Sequence, residues 1–110
     1  MPPTTTIAAG APVATLINVF TVQPARQREL VDLLVIATEE VMLHLPGFVA
    51  ANIHASDDGT RVVNYAQWET ADAFRAMLET PAAQVHMRQA AAIADQFDPH
   101  LYAVESVHHS

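Results

Sequence analysis

The sequence contains no cysteine. That absence excludes disulfides, a catalytic thiol, iron–sulfur clusters and thiolate zinc sites together. It is compatible with a reducing cytoplasm, the location expected for the chain. Positive charge is also scarce: Lys and Arg total 5 against 12 Asp and Glu, for a formal charge of −7. No basic patch is available to neutralise phosphates, so neither nucleic acid nor an anionic membrane surface is an expected partner. Only three glycines occur, and none builds a phosphate-binding loop or a nucleophile elbow. No apolar run is long enough to span a bilayer. Residues 1–12, MPPTTTIAAGAP, lack the basic start and long apolar core of a signal peptide and read as a flexible N-terminal arm.

What is present fits one compact domain over residues 13–110, since about half of the 110 residues are hydrophobic. Residues 13–22 are rich in Val, Ile, Thr and Phe and read as a strand, with Leu16 and Phe20 on one face and Ile17 and Val19 on the other. Pro24 opens a helix in which Leu30, Leu33, Leu34, Ala37, Val41 and Leu45 form one stripe, ended by Pro46-Gly47. Residues 48–56 and 61–69 read as a hairpin around Asp57-Asp58-Gly59-Thr60. Thr70 caps a short helix, and Thr80-Pro81 starts another that runs to about Phe97. Asp98-Pro99 breaks that helix, leaving residues 100–108 as the last strand. The order is βαββαβ with the second helix broken, which predicts an α+β, ferredoxin-like domain with an antiparallel sheet.

Both helices of such a fold cover one face of the sheet. The opposite face here reads as apolar too, through Ile17 and Val19 and through Val49, Ala51, Ile53 and Ala55 opposite Phe48 and Ala50. An apolar face of several hundred Å² left in water is unfavourable at roughly 25 cal/mol per Å². A homodimer paired through this sheet face is therefore expected.

Polar side chains interrupt the apolar faces at a few positions. Asn18 lies between Leu16 and Phe20, Asn64 and Trp68 share a face with Val62 and Ala66, and His54 follows Phe48 and Ala50 on one parity. His86, Ala90, Ile93 and Phe97 recur at steps of four, three and four, which turns His86 inward. Arg88 lies ~200° from His86 at 100° per residue, on the outside. A buried amide or imidazole without a partner costs ~1–3 kcal/mol, so several converging on one hollow suit a ligand better than a plain core. Each also has a structural reading: Asn18 can satisfy a strand edge, Asn64 a turn, and Trp68 and His86 can be satisfied core groups. Phe74 and Met77 read as wall. None of the six histidines is paired as HxH or at helical i,i+4 spacing, so no metal site is expected.

The run LPGFVAANIHASDDGTRVVNYAQWETADAF, residues 45–74, resembles the antibiotic biosynthesis monooxygenase family, in particular its actinorhodin-type branch. The resemblance implies a dimeric α+β barrel and a monooxygenase that needs no cofactor. It implies an anthrone- or naphthol-like aromatic polyketide, oxidised by molecular oxygen to a quinone. By motif it carries over Asn64 and Trp68 as catalytic groups, with His54 lining the same region. Relatives use a tyrosine where this chain has Phe74, and an arginine that falls near residues 86–88. His86 is the preferred base by periodicity, with His54 second and Arg88 given less weight. Asn18, Phe48, Phe74, Met77 and Arg88 complete the expected substrate contacts. Two alternatives stay open: a non-catalytic dimer that binds an aromatic metabolite, and a haem-degrading relative. Asn18 and His86 would suit the latter, but Met77 stands where it needs a tryptophan.

Overall fold

The computed structural model describes residues 2–110. Strands β1 (Ala14–Thr21), β2 (Phe48–Ala55), β3 (Arg61–Trp68) and β4 (Gln96–Tyr102) form one antiparallel sheet in the order β2-β3-β1-β4. Helices α1 (Gln27–Glu40), α2 (Ala71–Leu78) and α3 (Pro81–Ile93) complete the chain order βαββααβ, which is the ferredoxin-like plan. Among the described residues, no helix is long and apolar enough to cross a membrane.

The first helical segment is shorter than its apolar stripe suggests. Single 3₁₀ turns at Pro24–Arg26 and Met42–His44 flank α1, and Val41 leaves helical geometry at φ −123°. Thr70 caps α2 as expected, its side chain accepting from the Ala73 N–H at 3.0 Å. Thr80 does not cap α3; its hydroxyl donates to the Ala76 carbonyl instead.

The end of the chain departs from expectation. Helix α3 stops at Ile93, Ala94 turns extended, and Asp95 N–H donates to Thr21 O, which starts β4 at Gln96. Asp98-Pro99 is therefore inside a strand rather than at a helix end. Proline is tolerated there because β4 is an edge strand and need not donate on both sides. Phe97 belongs to the strand's period of two, with its ring centroid 6.4 Å from that of Phe20.

Strand β2 holds a second departure. Phe48 pairs with Trp68 but Ala50 pairs with Gln67, so one extra residue is inserted at a β-bulge. Beyond the bulge the parity inverts. Ala51 and Ile53 pair with Ala66 and Asn64 on the helix side, while Asn52 and His54 pair with Tyr65 and Val63 on the open side. The open face is thus more polar than simple alternation suggests. The N-terminal arm lies along it: Thr5 Oγ1 donates to Asn52 Oδ1 at 2.7 Å, and Gln67 Nε2 donates to Thr6 O at 2.9 Å.

The helix-side core falls into two clusters. Phe20, Val22, Leu30, Val31, Val62 and Ala90 form one. Trp68, Met77 and Ala83 form the other, with Phe48, Phe74, Met42 and Met87 packed around them.

Two outcomes test this packing. Gly47 sits at φ +82°, and a Cβ there would come within 2.5 Å of Ala73 Cβ. Gly47→Ala is expected to lower the unfolding free energy by about 1–3 kcal/mol in urea titration. In the β2–β3 turn, Asp58 accepts from Thr60 N–H, Thr60 Oγ1 and Ser56 Oγ, which lowers its pKa from 3.8 to about 2. A depressed carboxylate stabilises the fold above its unfolded pKa and loses that contribution as pH falls through the folded value. Wild type should lose stability more steeply than Asp58→Asn between about pH 4 and pH 2, read from Tm against pH.

Candidate active site

A cavity of about 410 Å³ lies between the sheet and the helices. Its wall draws on both core clusters: Phe20, Leu34 and Ala90 from the first, and Met42, Phe74, Met77 and Met87 from the second. The two clusters do not close on one another, and the space between them is the site. No Asp, Glu, Lys or Arg lines it. Its polar side chains are Asn18, Asn64, His86 and His100.

The floor is set by strand register. Asn18 on β1 and Asn64 on β3 are direct cross-strand partners. They stand between the apolar pairs Leu16–Ala66 and Phe20–Val62, on the face that period-two alternation assigns to the helices. Asn18 is half committed, because its Oδ1 accepts the Asp98 N–H at 3.1 Å. That bond anchors edge strand β4 and leaves the Asn18 amide nitrogen as the end available to the cavity. Asn64 Oδ1 is buried and has no partner.

Helix α3 supplies the roof. His86 lines the cavity with its Nδ1 buried and unpartnered. Its inward direction follows from the helical stripe that ends at Ala90 and Ile93. Trp68 Nε1 is also buried without a partner. Trp68 itself does not line the cavity, however. It packs edge-on against Phe48 at 5.5 Å and near Phe74 at 6.4 Å, while Phe74 and Met77 form the wall.

The expected site residues therefore divide. Asn18, Asn64, Phe74, Met77 and His86 come together around one hollow. Phe48 does not reach it and serves as packing for Trp68. His54 is on the opposite face of the sheet, beside Thr5, Ile17, Asn52, Val63 and Tyr65, because the bulge inverts the parity of β2. Arg88 is exposed on the outer side of α3, away from the cavity. Phe97 reaches the wall as expected but from β4 and not from the helical stripe, and Pro99 and Leu101 were not singled out, since Asp-Pro reads as a helix stop and displaces the strand.

Comparison with known proteins fits this geometry. The model of the antibiotic biosynthesis monooxygenase family matches residues 14–89. The chain belongs to that family. It is 52% identical over 81 residues to tetracenomycin-F1 monooxygenase of Streptomyces glaucescens, covering 74% of this chain and 72% of that protein. A monooxygenase of Streptomyces coelicolor, solved in complex with nanaomycin D, superposes with TM-score 0.75 at 30% identity, covering 88% of this chain and 91% of the other. SnoaB, a cofactor-independent oxygenase from Streptomyces nogalater, superposes with TM-score 0.73 at 26% identity, covering 88% and 97%. With these relatives the chain is a monooxygenase of the cofactor-independent type.

A polar group kept for a ligand lowers the stability of the empty protein. Asn64→Leu removes a buried carbonyl oxygen that has no partner and is expected to raise the unfolding free energy by about 1–2 kcal/mol in denaturant titration. A loss of stability would mean that Asn64 holds the fold.

Proposed function

We propose that the protein oxidises a hydroxylated polycyclic aromatic, of the anthrone or naphthol type, to a quinone with molecular oxygen. The observation that carries this reading is the pair of unpartnered buried atoms, Asn64 Oδ1 and His86 Nδ1, in an otherwise aliphatic and aromatic hollow. The names of the relatives support it: one acts on tetracenomycin F1, and another was solved with nanaomycin D.

The substrate supplies the electrons. Loss of a phenolic proton gives an electron-rich anion, which passes an electron to oxygen and recombines as a peroxide. That peroxide loses water. The ring carbon gains one oxygen and two hydrogens leave with the other. The protein has three tasks: to exclude water, to accept the proton and to hold the oxyanion. His86 Nδ1 is the base, the one ring nitrogen of the wall that is buried without a partner. Asn64 Oδ1 accepts from a second hydroxyl of the substrate, and its amide nitrogen donates to the oxyanion left when His86 takes the reacting proton. Asn18 contributes a second amide N–H₂ beside it. Trp68 stands behind Phe74, outside the cavity lining, and holds that part of the wall in place. Phe74 has no hydroxyl, so the oxyanion depends on the amides.

A second copy of the chain covering the open sheet face is part of the same reading. Ile17, Val19, Val63 and Tyr65 are only half-buried there in the single chain.

Oxygen uptake with an anthrone substrate, in protein stripped of metal, tests the assignment. His86→Ala should lower kcat by about 10²–10⁴-fold and Asn64→Ala by about 10²-fold. Trp68→Phe keeps an aromatic ring packed behind Phe74 and should leave the rate within a few-fold of wild type. Unchanged rates in the first two variants would remove both residues from the chemistry.

A further inference from the structure

The cavity wall contains chemistry that substrate binding does not use. Three of the chain's four methionines, Met42, Met77 and Met87, line it. They come from three separate elements, the turn after α1, α2 and α3. The rest of the wall is built from Leu, Phe, Ala, Pro, Asn and His, and the chain has no cysteine. Thioether sulfur is the most readily oxidised group in such a wall. Met77 is 7% exposed, so solvent-borne oxidant reaches it poorly. An oxidant formed inside the cavity would meet it directly.

We propose that Met42, Met77 and Met87 are sites of turnover-dependent oxidation to methionine sulfoxide by the substrate hydroperoxide. The inference rests on the peroxide chemistry of the proposed function. A thioether attacks the distal peroxide oxygen, the O–O bond breaks and an S–O bond forms. Sulfur loses two electrons and the hydroperoxide is reduced to the corresponding alcohol. Substrate diverted this way leaves as the alcohol instead of losing water to give the quinone. Holding sulfur and peroxide in one small cavity makes a slow bimolecular reaction effectively unimolecular.

The consequence is local. Met77 packs with Trp68 and Ala83, which are 2% and 0% exposed. A sulfoxide oxygen placed in that apolar cluster needs a hydrogen-bond donor, and the Trp68 indole N–H of the same cluster is buried without a partner. Oxidation at Met77 therefore puts a polar group into the cavity wall and changes the shape and polarity that the substrate meets.

Peptide mass spectrometry of the whole protein after turnover decides the matter. Protein is incubated with anthrone and oxygen, with oxygen alone, and with anthrone under nitrogen, and quinone is measured in each sample. The expected result is one added oxygen atom on the peptides carrying Met42, Met77 and Met87 only when substrate and oxygen are both present, with activity falling in step with the oxidised fraction. Quinone formation with these methionines still reduced, or oxidised equally without substrate, would overturn the inference and leave the proposed function standing. Failure of wild type to form quinone would remove both. A second measurement does not depend on turnover: cumene hydroperoxide, an aromatic peroxide, should oxidise the same three residues, and bound anthraquinone should protect them. Equal oxidation with and without anthraquinone would also overturn the inference.

Discussion

The site depends on one feature of the packing: the two halves of the core do not meet. Phe20, Leu30 and Val62 pack at one end of the helix-covered sheet face, and Trp68, Met77 and Ala83 at the other. Between them the sheet presents Asn18 opposite Asn64 instead of another apolar pair. An amide pair at that register does not support close packing by the helices above, because each polar atom sealed off without a partner costs about 1–3 kcal/mol. One of the four polar ends is satisfied, by the Asp98 N–H. On the proposed function, the space left over is where an aromatic substrate with a hydroxyl group lowers the free energy most, by filling the hollow and pairing the amide and imidazole together.

The same constraint accounts for the make-up of the wall. A site with no charged residue has no strong field of its own, so the proposed chemistry relies on a substrate that is already electron-rich once deprotonated. Flexible methionines from three separate elements let the cavity fit flat rings of differing outline. Edge strand β4, held by Asn18 and carrying Phe97, Pro99 and Leu101, closes the side that the helices leave open. Asn18 thus serves the fold with its oxygen and leaves its nitrogen to the cavity.

Much of this was legible in the sequence, for identifiable reasons. Alternation in β1 and β3 placed Asn18, Asn64 and Trp68 on one face, and helical spacing turned His86 inward. Those periodicities hold wherever an element is regular. They failed where one residue changes the count. The bulge near Val49 carries no marker such as glycine, yet it moves His54 to the opposite face of the sheet. Pro99 carries a strong marker with two meanings, helix stop and edge strand, and only the position of β4 in the sheet selects between them. The arm and the open face are the remaining case: composition does not reveal that Thr5 and Thr6 find Asn52 and Gln67 as partners.

The central claim is that substrate occupies the hollow and completes the hydrogen bonding of Asn64 and His86. Nitrogen NMR of the protein under nitrogen gas, titrated with a hydroxylated anthrone, measures this directly. The account predicts saturable shifts of the Asn64 side-chain amide and the His86 ring nitrogens, with Asn52 and His54 on the far face unmoved. Saturable binding that leaves Asn64 and His86 unperturbed, or that shifts Asn52 and His54 instead, would contradict it.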